Sequence, residues 1–275
     1  MAISAQDVKR LREVTGVGMM DCKKALTEAD GDFDQAIEIL RKKGQKVAAN
    51  RADREAKEGV IATAKADDGA AAAIVEVNCE TDFVARNDEF VAFAQRIADL
   101  VLAERPADMD ALLALSLDGQ PVGTQLTSMT GKIGEKIDVR RFAVLEADGG
   151  RVIDYIHPGA KLGVLVEMHG EGDLEAAGRD VAMQAAAMNP VAATREEVPQ
   201  EVQDKELEIG REQARAEGKP EQILDKIAAG KLERYFKDNV LVEQPFVKDS
   251  SLTVKQMLQQ NKAELKRFVR FGLGG

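Results

Sequence analysis

The sequence has no tryptophan, two tyrosines and an aromatic fraction of only 4%. Single-stranded nucleic acids are held on aromatic stacking platforms, so this scarcity argues against such a surface. There are two histidines, His157 and His169, too few for a histidine-rich metal site. A catalytic triad would need one of them beside a nucleophile, and no G-x-S-x-G elbow is present. The two cysteines, Cys22 and Cys79, lie far apart without C-x-x-C spacing and read as reduced cytosolic thiols. No segment approaches the ~18 apolar residues of a membrane span. The opening MAISAQDVKRLREV carries charges throughout and lacks the apolar stretch of a secretory leader, so a cytoplasmic location is expected. Basic residues are in the minority, 38 Lys and Arg against 48 Asp and Glu, for a net charge of −10. That balance disfavours a broad phosphate-binding surface, and no direct nucleic-acid partner is expected. Gly59, Gly69, Gly131 and Gly134 fall in neither G-x-G-x-x-G nor Walker spacing, so no nucleotide cofactor is expected, and with so few histidines no metal is expected.

What is present is a succession of modules, for which 275 residues leave ample room. Residues 1–43 read as three short helices. Val8, Leu11 and Val14 mark the first, behind a candidate cap at Ser4; Thr15-Gly16-Val17-Gly18 breaks it. Met19, Cys22, Ala25 and Leu26 mark the second. Asp32 caps the third, with Phe33, Ala36, Ile37 and Leu40 on one face and Gly44 closing it. Residues 45–58 are polar and alanine-rich, a linker or a solvated helix. A hairpin follows: one strand from Gly59 to Lys65, a turn at Asp67-Asp68-Gly69 and a second strand from Ala71 to Asn78. Asn87 caps a helix whose Phe90, Phe93, Ala94, Ile97 and Val101 recur at helical spacing. Helical segments fill 107–117 and 121–134. Strands are then predicted over 137–146, 152–156 and 162–169, followed by a helix from Asp173.

AAIVEVNCETD (72–82) and GVLVEMHGEGD (163–173) share an apolar run, a glutamate and a polar exit before a helix. This suggests two similar α+β subdomains. Residues 196–235 read as a helical hairpin turning at Gly218-Lys219-Pro220, its first arm highly charged and thinly apolar. A short helix over 253–260 and a last strand over 264–271 complete the chain.

The exit of the second hairpin strand gathers reactive side chains: Cys79, Glu80, Thr81 and Asp82, then a large apolar Phe83 and Val84. A cysteine nucleophile there has no histidine within local reach, and Glu80 with Asp82 lacks a third metal ligand. Phe83 sits off any helical stripe. It either packs under the following helix or projects to insert into a partner. Met19 could serve the bundle core while Met20 points outward as an adaptable partner contact; both in the core is the alternative. Arg12 and Lys23 would flank that surface.

LREVTGVGMMDCKKAL (11–26) and VNCETDFVARNDEF (77–90), with KIGEKIDVRRF (132–142), YIHPGAKLGVLV (155–166) and QPFV (244–247), resemble the elongation factor Ts family in order along nearly the whole chain. The resemblance implies an α+β protein: a three-helix ubiquitin-associated-like bundle at 1–44, a linker at 45–58, and two related subdomains of antiparallel sheet plus helix. The first of these spans 59–140. The second spans 141–190 and 237–275, interrupted by a helical hairpin at 191–236 that serves homodimerisation in some members. It implies a guanine-nucleotide exchange factor, not an enzyme, that binds elongation factor Tu with GDP or without nucleotide. The exchange motif would be Thr81, Asp82, Phe83 and Val84, the phenylalanine wedging into the partner near the groups that hold Mg²⁺. Arg12, Met19, Met20 and Lys23 would touch the partner's nucleotide domain, and Ile133, Gly134 and His157 its other face. His157 is followed by Pro158 where relatives often have glycine. Some relatives carry a further helical module after the point corresponding to VRFGLGG (269–275), and without it weaker partner binding is expected. A passive binding scaffold is the rival reading.

Overall fold

The computed structural model describes residues 3–274. Of its first three helices, the first and third begin where a side chain satisfies free backbone N–H groups. Ser4 and Asp7 form a reciprocal capping box at the head of α1 (Ala5–Thr15), with 3.1 and 3.2 Å bonds. Gly16, in the left-handed region at φ 66°, closes it. α2 (Met19–Glu28) follows, and Asp32 caps α3 (Phe33–Arg51) through the Gln35 N–H at 2.9 Å. Leu11, Cys22, Ala25, Leu26, Ala36 and Leu40 form the small core of this bundle.

Two expectations need correcting here. α3 does not stop at Gly44; it continues to Arg51. Gly44 is buried against α7 (Val122–Ile133), its Cα facing Gly131: a methyl group at Gly131 would overlap the Gly44 Cα. The glycine is there for close helix approach, not to end the helix. Val14 also differs, being exposed rather than part of the bundle core.

The chain divides into two compact units. Among the described residues, the first comprises 3–62, 75–142 and 273–274; the second 63–74 and 143–272. The hairpin of β1 (Glu58–Lys65) and β2 (Ala71–Cys79) has its base in the first and its tip in the second. β2 is the middle strand of a three-stranded sheet ordered β1-β2-β5, with β5 at Asp138–Glu146. After β2 come the one-turn helix α4 (Asp82–Ala85) and α5 (Asp88–Glu104), which buries Phe90, Phe93, Ala94, Ile97 and Val101. α6 (Met109–Ala114) and the small pair β3 (Ser116–Leu117) and β4 (Gln120–Pro121) lead into α7.

The second unit repeats the scheme. β6 (Arg151–Ile156), β7 (Leu162–Gly170) and β10 (Ala263–Gly272) form a sheet ordered β10-β7-β6, antiparallel throughout, and α8 (Leu174–Met188) packs on it. The fold is thus α+β with antiparallel sheets. The shared sequence pattern has a structural counterpart: β2 and β7 are both central strands, and the glutamate of each is buried and paired with arginine. Glu76 takes Arg141 of β5 at 2.7 Å, and Glu167 takes Arg267 of β10 at 2.5 Å.

α9 (Gln200–Ala216) and α10 (Glu221–Asn239) form the hairpin. Its seam is consumed internally, where Gly210 meets Ala228 and Ala214, Leu224 and Ala228 are buried. At its base Arg195 joins Glu233 and Glu243 and lies 4.5 Å from the Phe236 ring centroid. The short strands β8 (Pro245–Phe246) and β9 (Asp249–Thr253) and the helix α11 (Val254–Gln260) lead to β10. Among the described residues no helix is long and apolar enough to cross a membrane.

Candidate functional site

The strand exit is a fastened turn. Cys79 is fully buried and its Sγ–H donates to the Thr81 carbonyl at 3.2 Å. Burial pushes this thiol up to about 12, and the Glu135 carboxylate adds to the effect. At neutral pH it carries no thiolate, which removes the chemistry a cysteine hydrolase needs.

Glu80 points back into the structure. One Arg51 nitrogen reaches both its oxygens at 2.7 and 2.8 Å, and the Lys136 backbone N–H donates to it at 2.7 Å. Burial raises its pKa, but the Lys136 N–H and the Arg51 guanidinium outweigh that and hold the carboxyl below the usual range. Glu80 is therefore a structural anchor, and among the described residues no group of three or more His, Cys, Asp or Glu side chains could hold a metal ion.

Thr81 is fastened from the other side. Its N–H and Oγ1–H donate to the two oxygens of Glu135 at 3.0 and 2.7 Å, while its Oγ1 accepts from the Val84 N–H at 3.4 Å. It is the N-cap of α4, which begins with Asp82 and Phe83. Asp82 is partly exposed and paired with Arg86 at 2.8 Å. Val84 is half-buried. Phe83 is 83% exposed. Of its two possible placements, the projecting one is realised, and it is no core contact.

Two other candidates, Ile133 and Gly134, lie at the end of α7. Lys132 runs beside Gly16 of the TGVG turn, where even a methyl group would collide with its ammonium, and it pairs with Glu89 at the start of α5. Ile133 is half-buried, and Gly134 ends α7 at φ 84° with open space where a Cβ would stand. Glu135 and Lys136, which hold the strand exit, come next. Residues 132–136 thus tie the bundle's turn to the turn that carries Phe83.

Met19 and Met20 begin α2 at 48% and 65% exposure, so Met19 does not serve the core. Arg12 and Lys23 are exposed on the same bundle. His157 lies apart in the second unit, exposed in the turn after β6, with Nδ1 3.0 Å from the Tyr155 hydroxyl. Arg51, Glu135 and Lys136 escape the sequence reading because their roles depend on partners 29 to 56 residues away. The one available signal was an acidic residue directly after Ile133-Gly134.

Comparison with known proteins bears on the family of the chain. Residues 80–275 match the family described as Elongation factor TS. The chain is 50% identical to the elongation factor Ts of Prosthecochloris aestuarii over 99% of both chains. It is 50% identical to that of Chloroherpeton thalassium, over 99% of this chain and 98% of the other. It is 51% identical to that of Amoebophilus asiaticus over the full length of both. On the matched span and on these full-length identities, the chain belongs to the elongation factor Ts family.

Proposed function

We propose that this chain is a guanine-nucleotide exchange factor for elongation factor Tu and acts on the GDP-bound partner by inserting Phe83. Family membership supports the general role. The observation that supports the mechanism is an aromatic side chain 83% exposed on a turn anchored by Arg51, Lys136 and Glu135. An exposed phenylalanine gains little in the free protein and much in a partner's pocket. Asp82 is the second contact: its link to Arg86 is a surface i,i+4 pair that a partner donor can replace at small cost.

Insertion near the Mg²⁺ site would act on the most demanding element of bound GDP. Mg²⁺ tolerates little distortion of its octahedral shell, so moving its supports by about 1 Å weakens both ion and diphosphate. Exchange factor and nucleotide then weaken each other by the same coupling free energy. No covalent bond changes, so the chain speeds dissociation without being an enzyme. Arg12, Met19, Met20 and Lys23 are read as contacts to the partner's nucleotide domain, and Ile133, Gly134 and His157 as contacts to its other face. Such a role places the chain in the cytoplasm.

Residues 1–44 are read as the ubiquitin-associated-like module. Residues 191–236 are read as a hairpin whose buried seam favours self-packing over homodimerisation. The test is release of a fluorescent GDP analogue from elongation factor Tu by stopped flow, with this protein below one equivalent. Complete, accelerated release at sub-stoichiometric amounts supports exchange. Tight binding without acceleration would establish the passive scaffold instead.

A further inference from the structure

We infer that Glu135 is the positioning residue of the wedge: it clamps Thr81 so that α4 projects Phe83 at one angle. The inference rests on the exchange reading and extends it to a residue outside the exchange motif. α4 has four residues, far below the ~12 that an isolated helix needs to persist in water. Its geometry must come from its attachments. The Phe83 side chain is almost free of neighbours and cannot anchor the turn itself.

The attachments converge on Thr81. Glu135 receives both the N–H and the hydroxyl proton of that residue, one on each carboxylate oxygen. With its proton committed to Glu135, the threonine hydroxyl has only lone pairs to offer inward. It can therefore accept the Val84 N–H and cap α4. The order of control is Glu135, then Thr81, then the turn that carries Asp82 and Phe83. Charge-assisted bonds of this kind are short and directional, which suits a positioning role.

The clamp is itself mounted firmly. Glu135 follows Gly134, whose left-handed conformation ends α7, and precedes Lys136, whose N–H holds Glu80 and whose Nζ donates to the Ala52 carbonyl at 2.7 Å. A loosely held Phe83 could still touch the partner, but it would spend little time aligned for insertion. Loss of the clamp should therefore lower the maximal exchange rate more than the affinity for the partner.

The experiment compares wild type, Glu135→Ala and Glu135→Gln in three measurements. These are GDP-analogue release from elongation factor Tu across a range of factor concentrations, hydrogen exchange of the Thr81 and Val84 amides, and the thermal midpoint. Glu135→Ala should lower the maximal rate roughly tenfold or more, as expected when a reacting geometry is loosened. Its half-saturating concentration should move by less than about twofold, the signature of an interaction made at the barrier rather than in binding. Both amides should exchange faster while the midpoint stays near wild type. Glu135→Gln, which keeps one acceptor oxygen, should fall between the two.

A wild-type maximal rate in Glu135→Ala overturns the inference. So does a fall in rate, affinity and midpoint together, which marks a purely structural residue. If wild type itself leaves GDP release unchanged, the exchange reading fails separately. The amide exchange then decides the clamp: faster exchange in Glu135→Ala sustains it, and unchanged protection of Thr81 and Val84 overturns it.

Discussion

Replacing Phe83 by alanine separates stability from function in a way few aromatic substitutions do. A phenylalanine side chain offers ~200 Å² to its surroundings. The structure hides about a sixth of Phe83, since 83% is exposed. That sixth, ~35 Å², contributes ~0.9 kcal/mol at ~25 cal/mol per Å². Alanine returns ~0.5 kcal/mol through its better helix propensity. Phe83→Ala should therefore change the stability of the free protein by less than ~1 kcal/mol and its midpoint by no more than ~2–4 °C. In the complex the balance reverses. The exposed ~165 Å², if buried in a partner, contributes up to ~4 kcal/mol. At 1.36 kcal/mol per tenfold, that sets a ceiling of ~10³ on the lost acceleration of GDP release. Incomplete burial and ordering costs bring the expected loss to roughly a hundredfold. Stopped-flow release of a fluorescent GDP analogue and a thermal melt on the same preparation read both quantities. A destabilisation above ~2 kcal/mol would show that Phe83 supports the fold in solution, contrary to its exposure. An unchanged release rate would refute the wedge.

Further outcomes follow from the packing. The two glycines at the α3–α7 crossing should respond with opposite signs. Gly131→Ala forces its Cβ into the Gly44 Cα and should cost about 1–3 kcal/mol. Gly44→Ala places its Cβ 3.5 Å from the Gly131 Cα, an ordinary contact. It should be neutral or stabilising by up to ~1 kcal/mol, which urea melts of both variants would check. Arg141→Met leaves the buried Glu76 carboxylate with only a 4.0 Å contact to Arg140 and the Asn78 amide at 3.2 Å and should cost up to about 3 kcal/mol, and Glu76→Leu added to it should recover much of the loss. Glu80 gives a pH signature. Its folded pKa is depressed, so on acidification the unfolded chain takes up the proton first. Its contribution to stability is complete above the ordinary carboxylate value of ~4.3 and fades as the pH falls below it toward the depressed folded value. Urea midpoints measured from neutral to acid should fall less steeply through that window in Glu80→Gln than in wild type.

The readings that survive from sequence are local ones. Ser4, Asp32 and Asn87 cap helices by bonding N–H groups two or three residues ahead, so their meaning is contained in a few positions of sequence. The Asp67-Asp68-Gly69 turn, with Gly69 at φ 72°, is legible for the same reason. The α5 stripe of Phe90, Phe93, Ala94, Ile97 and Val101 is buried throughout because a 3.6-residue period leaves one face to hide. The period misleads at Val14, one turn beyond Leu11: α1 ends at Thr15, and this last turn leaves the valine exposed. Met19 fails similarly, as the first residue of α2 lying outside the core that Cys22, Ala25 and Leu26 form.

By itself the sequence determined the kind of protein this is: most of the longer helices and strands, the duplicated strand-then-helix pattern, the family, and the stretch from Thr81 to Val84 as the place to look. Tertiary structure alone decided where those residues sit and what holds them. Gly44 looks like a helix terminator in isolation and becomes a crossing point only because Gly131, 87 positions away, meets it. Phe83 could pack or project, and its exposure follows from how the turn at Glu80 and Thr81 is tied down. Glu135 is one of many acidic residues until the fold sets it against Thr81, 54 residues earlier. Caps, turns and periodicity are short-range and written in adjacent letters. Long-range hydrogen bonds, buried ion pairs and projecting side chains depend on contacts that exist only once distant segments have been brought into register.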